Sequence, residues 1–510
     1  MAILRRGGNA VDAAIAVAAT VAVVYPHMNG VGGDSFWLIY DGRRRALRAL
    51  NAAGRAAATA DLETYRARFG QAIPTRGGAA ALTVPGVVSG WWEAHRLSRD
   101  ALGSPIGWGS LLEDAIVRAR DGFPPSAGQR RETADADDLF GIAAPAELRD
   151  RLWRIYHPAA LARERFVQAD LAVTLDEIAR EGADTFYRGP LAERIARGAA
   201  AAGSPLTADD LARHHATWVE PLRVAYRAGE AASFPPPTQG FAALAILSLL
   251  EGFDMASLTE ADYVHVIVEA TKLAFEDRDR YLTDPTFAPV PVAHCLDRAH
   301  LEQKRRSISR RAARPSRGAA IEGDTIAVVA ADADGNAVSL IQSLYWEFGS
   351  GVIAADTGVL LQNRGAFFSL DPAHPNRLAP GKQTAHTLIP SMYLVDGRPR
   401  LVYGTMGGEG QPQTQAALVT RRLHRGLGPQ AAVEAPRWLY GRTWGMPSRA
   451  LSLEGRYPAE IVRDLAARGH DVKVAGEWDD LFGHAQCIWL DDSELAGGSD
   501  PRADGAALSV

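Results

Sequence analysis

The sequence is poor in the residues that mark several classes of protein. Its 510 residues include only two cysteines, Cys295 and Cys487, so it encodes neither a disulfide framework nor a cysteine-based zinc site. The net charge of -5 is small for this length and gives no electrostatic case for nucleic acid or an anionic membrane as the main partner. Two free thiols in a reducing cytosol is a simpler interpretation than a disulfide between Cys295 and Cys487.

A long hydrophobic run is also missing, because the apolar residues 13–24 are fewer than the ~20 that cross a bilayer. Arg5 and Arg6 precede this run, as in a secretion signal, but Asn9 and Asp12 interrupt that pattern. Asn9 as N-cap, with Asp12 in the first turn, predicts the start of a helix instead. We therefore expect a cytoplasmic protein.

The sequence lacks the Gly-x-Ser-x-Gly elbow and the His-Glu-x-x-His motif of common hydrolases. His265 and Glu269 stand four apart on a predicted helix, as metal ligands can, but the sequence places no third ligand nearby. A pair on one helix face is the expected interpretation, so no metal and no organic cofactor are predicted. His214 and His215 are expected to be solvated.

Among the residues that are present, Thr325 is the most informative. It follows Asp324 and opens a strand-like run, residues 326–330, that turns at residues 334–336. Taken alone, Thr325 simply begins a hairpin strand, because threonine favours strands and Asp-Gly-Asn is an ordinary turn. The basic stretch 304–317 before it is either a nucleic-acid patch or a mobile tether that ends at a cut, and its composition favours the tether.

The neighbours of Thr325 change that interpretation. They are residues 342–351 (QSLYWEFGSG), residues 362–365 (QNRG), residues 404–413 (GTMGGEGQPQ) and the proline-rich loop 235–240. With residues 7–14 (GGNAVDAA), the arrangement resembles the gamma-glutamyltransferase family of N-terminal nucleophile hydrolases, over nearly the whole chain. Members of that family have a strand before the first helix, and whether such a strand is missing here stays open.

The resemblance implies a proenzyme that cuts itself between Asp324 and Thr325. Residues 1–324 would form a large subunit that ends in a flexible basic tether, and residues 325–510 a small subunit that carries the nucleophile. Together they would form one α+β unit, a four-layer αββα sandwich, as a heterodimer of the two fragments or a dimer of such heterodimers. Pattern alone supports only a mixture of helices, such as 263–281, and strands.

The resemblance also assigns the catalytic groups. A threonine at a new chain start supplies both the nucleophile and a base, because its α-amino group titrates near ~7.7 to 8.0. Ser343 matches a second hydroxyl that hydrogen-bonds the nucleophile, and Gly407 and Gly408 match a glycine pair whose N–H groups stabilise the oxyanion. A tight turn after a strand is the alternative interpretation of the glycine pair.

Departures from the family pattern concern the pocket for a glutamate head group. The acidic position falls on Phe367, which cannot pair with a substrate ammonium. The expected arginine falls at Ala52, with Arg55 nearby, and a Ser-Ser pair becomes His386-Thr387. The residues that match the catalytic groups are thus retained, while most of those that would bind a glutamate head group are replaced.

Arg364 adds a planar cation where the family often has a neutral amide, and it suits a carboxylate. The pattern is most similar to the oxamate amidohydrolase branch, which hydrolyses oxamate to oxalate and ammonia. The predicted substrate contacts are Arg364, His386, Thr387, Tyr345 and Glu347. A structural ion pair of Arg364 with Glu347 or Glu409 is the alternative.

Three other functions are alternatives to hydrolysis of a small anionic amide. One is a gamma-glutamyltransferase or glutathione hydrolase with an altered head-group pocket, and another is an amidase like the cephalosporin acylases. The third is a non-catalytic scaffold, in which Thr325→Ala would change nothing.

Overall fold

The computed structural model describes residues 1–135, 146–314, 324–441, 448–491 and 494–510. Its strands, in chain order, are β1 (Asp34–Asp41), β2 (Ala46–Ala52), β3 (Thr217–Val219), β4 (Leu222–Tyr226), β5 (Gly229–Ser233), β6 (Asp324–Ala331), β7 (Ala337–Tyr345), β8 (Ile353–Ala354), β9 (Val359–Leu360), β10 (Ser391–Val395), β11 (Arg398–Thr405), β12 (Trp438–Tyr440), β13 (Leu451–Leu453), β14 (Val472–Val474), β15 (Ala485–Leu490) and β16 (Leu495–Ser499).

The α-helices are referred to by their bounds. They are Ala2–Arg5, Ala10–Val24, Leu62–Phe69, Val87–Asp100, Trp108–Asp121, Ala127–Asp135, Ala146–Tyr156, Pro158–Leu161, Ala169–Glu181, Asp184–Tyr187, Pro190–Ala201, Ala208–Ala212, Gly240–Leu250, Glu260–Tyr281, Val292–Cys295, Arg298–Arg305, Gln411–Leu423, Pro429–Glu434 and Ala459–Ala467. Short 3-10 turns cover Arg364–Phe367, Gly408–Gly410 and Asp480–Phe482. No helix in the described ranges is long and apolar enough to cross a bilayer.

Two large sheets form the centre of the molecule. One has the order β3-β2-β1-β7-β6, and the other has the order β16-β15-β11-β10-β5-β4. The first sheet is antiparallel throughout, with β1 paired to both β2 and β7. The thirteenth strand, β13, instead joins β12 and β14 in a separate small sheet.

Alternation along β1 shows how the layers stack. Phe36 and Leu38 are fully buried against residues of the second sheet, such as Met392. Trp37 and Ile39 point to the opposite face and join a core with the helices, because successive strand residues face opposite sides. A third core lies on the outer face of the second sheet, where helix Glu260–Tyr281 packs. The result is the predicted α+β fold, an αββα sandwich.

Local signals predicted several elements well. Asn9 accepts hydrogen bonds from the backbone of Val11 and Asp12 and forms a capping box with Asp12, so the predicted helix start is confirmed. The predicted helix 263–281 lies inside Glu260–Tyr281. The predicted strand at 325–331 is present with one further residue at its start.

Two expectations about histidines are wrong. His214 is buried and shares a hydrogen bond of 2.9 Å with Ser89, and its burial lowers the pKa of His214 to about 3. His265 and Glu269 do have a third polar neighbour, His470, and ligand atoms of the three lie within 4.8 Å of one another. Neither partner could be read from the sequence, since each is distant along the chain.

The basic segment before Thr325, expected to be a mobile tether, contacts a helix as far as it is described. The carbonyl of Ser309 contacts His265 Nε2 at 2.6 Å, and the backbone N–H of Arg314 donates to Glu269 Oε2 at 3.0 Å. These contacts hold the segment on helix Glu260–Tyr281 up to Arg314. Its last part, residues 315–317, lies outside the described residues.

Candidate active site

Thr325 lies at a change of register between β6 and β7. Asp324 pairs with Tyr345 and Ile326 pairs with Gln342, so β7 carries one extra residue opposite Thr325. The Thr325 hydroxyl is buried and donates to Ser343 Oγ at 3.3 Å. The ladder that pairs Ile326 with Gln342 places Thr325 beside Ser343, so the two hydroxyls that the resemblance pairs lie together just before the register shifts.

Ser343 is fixed from two further sides. Its Oγ accepts a hydrogen bond of 2.7 Å from the backbone N–H of Tyr345, whose φ of +88° is unusual for a bulky residue. Just before the neighbouring strand β1, a Cβ added to Gly33 would lie 2.1 Å from the Ser343 carbonyl oxygen. The glycine before β1 therefore permits close backbone packing against the serine.

Strand β11 carries the glycine pair toward the same end of the sheets. The Tyr403 carbonyl accepts a hydrogen bond of 2.7 Å from Ser339 Oγ. One residue later, a Cβ on Gly404 would lie 2.6 Å from Ile341 Cδ1. Because β7 runs from Ser339 through Ile341 to Ser343, β11 runs toward the end of β7 that carries Ser343.

The turn after β11 presents backbone N–H groups. Gly407 and Gly408 adopt φ values of +125° and +49°, which glycine reaches at little cost. The Gly407 carbonyl accepts from the N–H of Gly410 at 2.7 Å, so the planar trans peptide points the Gly408 N–H the other way. Gln239 fixes the next peptide by donating to the Gly408 carbonyl at 2.9 Å. Such turns form concavities that bind anions.

Arg364 is a buried cation with donor capacity to spare. Only 1% of its surface is exposed, and its guanidinium lies 3.8 Å from the centre of the Tyr345 ring. Its Nη2 is 3.5 Å from Thr387 Oγ1, while its Nε and Nη1 have no hydrogen-bond partner among the described residues. Burial lowers the pKa of Arg364 to about 10, so it stays charged at neutral pH. Buried donors without partners are costly, which makes this position suited to an anion.

The ion pair proposed as an alternative for Arg364 does not form in the described part of the chain. Glu347 lies 3.9 Å from Arg76, and Glu409 lies 3.4 Å from Arg278. Both acids therefore have other cationic partners, and Arg364 is left to face the site.

A buried carboxylic acid and a histidine adjoin Arg364. Asp34 Oδ2 and His386 Nε2 are 3.4 Å apart, and both side chains are 1% exposed. Burial raises the pKa of Asp34 to about 7, although the Gly54 N–H and the Gln362 amide donate to Oδ1. Burial, and then the charge of Arg364, hold the pKa of His386 well below its usual range. His386 is therefore neutral, and Asp34 is only partly ionised near neutral pH.

Sequence reasoning missed Asp34 and the role of Gln239. Asp34 is the first residue of β1, a strand that is buried along its whole length. An acidic residue at that position was the signal that could have identified it. Gln239 donates to the carbonyls of both Thr387 and Gly408, and its Oε1 accepts from Arg278 at 3.1 Å. It thereby joins the glycine turn to the segment that carries His386. Its place in the proline-rich loop was the signal.

Comparison with known proteins decides the family. The sequence profile described as gamma-glutamyltranspeptidase matches residues 1–510. The chain belongs to the gamma-glutamyltranspeptidase family.

Curated relatives and solved structures agree with this assignment. The chain is 47% identical to the oxamate amidohydrolase proenzyme of Klebsiella pneumoniae, across 99% of this chain and 95% of that protein. It is 45% identical to the glutathione hydrolase-like YwrD proenzyme of Bacillus subtilis, across 100% and 95%. The crystal structure of cephalosporin acylase from Bacillus halodurans superposes with a TM-score of 0.90 at 34% identity, covering 99% of this chain and 92% of that one.

This member of the gamma-glutamyltranspeptidase family is a self-processing amidohydrolase of the N-terminal nucleophile class. The family and the enzyme class predicted from the sequence are therefore confirmed.

Asp34→Asn tests the electrostatics of the site through pH. The unfolded carboxyl titrates near ~3.9 and the folded one near about 7, so the folded state binds more protons between these values. The wild type should accordingly lose stability as pH rises through this window, by up to ~1.4 kcal/mol per pH unit. Asparagine keeps the acceptor oxygen and removes the titration. Its unfolding midpoint, measured by calorimetry, should rise relative to the wild type from pH 4 to pH 8, and a constant difference would contradict the assignment.

Gly407→Ala tests whether the backbone N–H groups of the turn after β11 contribute to amide hydrolysis. At φ +125° the new Cβ is strained, and it would lie 3.1 Å from Gly483 Cα, so the N–H groups should be displaced. Amide hydrolysis should fall about 10²- to 10³-fold in kcat, as for loss of an oxyanion donor. Gly426→Ala is the matched control, because Gly426 has φ +67° and open space around its Cβ position. Equal activity of the two variants would rule out a role for the turn.

Proposed function

We propose that this chain cuts itself between Asp324 and Thr325. The buried Thr325 hydroxyl, in contact with Ser343, supports this position. The Thr325 Oγ adds to the carbonyl carbon of Asp324, its proton passes to the departing backbone nitrogen, and the C–N bond breaks to leave an ester. Water then hydrolyses the ester, which yields a carboxyl group on Asp324 and a free amino group on Thr325.

The new amino group makes Thr325 a complete nucleophile for substrate. Its neutral form accepts the hydroxyl proton while Oγ attacks the amide carbon. The Gly407 and Gly408 N–H groups stabilise the oxyanion. Collapse of this intermediate releases ammonia, and water hydrolyses the acyl-threonine ester.

The substrate we propose is a small anionic amide, with oxamate as the first candidate. Arg364 carries this proposal, because it is buried beside the site with two donor atoms that have no partner among the described residues. A carboxylate offers oxygens that match such a fork. Tyr345, His386 and Thr387 complete the proposed pocket, and Glu347, which Arg76 holds, stays a predicted contact.

A second candidate is a larger amide, as in a glutathione hydrolase or a cephalosporin acylase. Similarity to the YwrD relative and to the acylase structure favours it. Phe367 opposes gamma-glutamyl substrates, because it packs against the Tyr345 ring at 5.7 Å and offers no charge for an ammonium group. Robust release from gamma-glutamyl p-nitroanilide, accelerated by dipeptides, would favour the second candidate. In either case we expect a cytoplasmic heterodimer of the two fragments, or a dimer of such heterodimers.

Thr325→Ala should remain one chain and lose amide hydrolysis by at least ~10³-fold, because both the cut and the nucleophile are lost. Thr325→Ser is the matched variant, since it keeps a hydroxyl and should still be cut. Intact-mass analysis and N-terminal sequencing of the smaller fragment measure both outcomes. Cutting of Thr325→Ala at the same bond would eliminate Thr325 as the attacking group.

Arg364→Gln should lower kcat/KM for oxamate about 10- to 100-fold, as expected for loss of a buried charge-assisted hydrogen bond. The neutral diamide oxamide has no carboxylate, so its hydrolysis should change far less. Arg66→Gln is the control, because Arg66 is exposed on helix Leu62–Phe69 and has no part in the proposed pocket. An equal loss for oxamate and oxamide would show that Arg364 supports the fold of the pocket and does not recognise the anion.

A further inference from the structure

Three buried side chains meet on the outer side of the second sheet, away from Thr325. His265 and Glu269 lie one turn apart on helix Glu260–Tyr281, and both are fully buried. His470, which is 7% exposed, precedes β14 and comes from 205 residues further along the chain. One ligand atom from each lies within 4.8 Å of the other two.

The histidines are oriented as metal ligands are. His265 Nε2 lies 2.6 Å from the Ser309 carbonyl, so this nitrogen carries the proton and Nδ1 keeps its lone pair. His265 Nδ1 faces His470 Nε2 at 2.8 Å. A histidine ligand typically donates its other ring N–H to a backbone carbonyl in this way.

The Glu269 carboxylate is also held by hydrogen bonds from residues outside this cluster. Glu269 Oε1 accepts from Lys272 Nζ at 2.8 Å, and Oε2 accepts from the Arg314 N–H at 3.0 Å. Carboxylate ligands are usually supported by such bonds, and each oxygen retains a further lone pair.

We propose that His265, Glu269 and His470 form a binding site for a divalent transition metal of the zinc type. Two nitrogens and one carboxylate oxygen are a ligand set that zinc accepts, with a fourth position left for water. On binding, the His470 proton moves from Nε2 to Nδ1, and the direct hydrogen bond between the histidines is replaced by two metal bonds. Tetrahedral ligands at 2.0 to 2.1 Å from zinc lie about 3.4 Å apart. The two histidine nitrogens, now 2.8 Å apart, must therefore separate slightly, and a ligand pair at the 4.8 Å limit must close by about 1.4 Å.

Lys272 limits the affinity. Its ammonium group lies beside the Glu269 carboxylate and would repel an incoming cation. Lys272→Met removes that charge while keeping the length of the side chain, and it should tighten metal binding about 10-fold or more.

The site would also join the two parts of the enzyme. His265 and Glu269 precede Thr325, whereas His470 follows it, so the metal would bridge the two fragments. This bridging role rests on the proposed cut, while metal binding itself does not.

The experiment is a titration of metal-free protein with zinc chloride, followed by dialysis and metal analysis. About one tightly held zinc per chain is expected, in the cleaved enzyme and in uncut Thr325→Ala alike. His470→Gln is the main variant, because a glutamine amide can still donate to His265 Nδ1 but is a poor zinc ligand. It should bind at least 100-fold more weakly, while His215→Ala, which alters an exposed histidine, should bind as the wild type does.

Two results would overturn the site: a wild type that retains no zinc, or equal retention by His470→Gln. Zinc binding by uncut Thr325→Ala keeps this test independent of the cut. For the bridge, zinc should raise the urea concentration that separates the fragments of the wild type but not those of His470→Gln. An equal midpoint with and without zinc would overturn the bridging role.

Discussion

The pairing of β6 with β7 is the constraint on which the rest of the site depends. The register that pairs Ile326 with Gln342 brings the Thr325 hydroxyl to Ser343, and the extra residue in β7 is followed at once by the left-handed backbone of Tyr345. The Tyr345 ring then supports Arg364. A slip of one residue between the two strands would place the two hydroxyls on opposite faces of the sheet. The proposed nucleophile and the proposed anion-binding group are therefore positioned by the pairing of these two strands.

The second constraint is charge. Arg364 is buried, and Asp34, the acid that interacts with it, has a pKa raised to about 7 by burial, so the charge of the arginine is only partly compensated. His386 stays neutral and adds no charge. An anionic substrate would supply the missing negative charge and the missing hydrogen-bond acceptors together. On the same argument, we expect a zwitterionic head group to be disfavoured, since Phe367 offers no charge or hydrogen-bond acceptor to its ammonium group.

Much of the fold could be predicted because its signals are local. The capping box at Asn9 and the strand that begins at Asp324 depend on residues within a few positions of each other. The candidate site was found from motifs, and its geometry agrees for Thr325 with Ser343 and for Arg364 with Tyr345.

The expectations that differ from the structure concern contacts between distant parts of the chain. His214 was expected in solvent and is buried on Ser89, and the pair of His265 and Glu269 acquires His470 from across the sequence. Composition also suggested a tether, but residues up to Arg314 are held by side chains of helix Glu260–Tyr281. Periodicity along a chain carries no information about such partners, because they are chosen by tertiary packing.

The most direct test of the account is a crystal structure of the cleaved enzyme with oxalate, the product of the proposed reaction. One carboxylate should accept hydrogen bonds from Arg364, while the other lies against the free amino group and hydroxyl of Thr325 with an oxygen on the Gly407–Gly408 turn. Oxalate bound away from Arg364, or a Thr325 without a free amino group in active enzyme, would contradict the account.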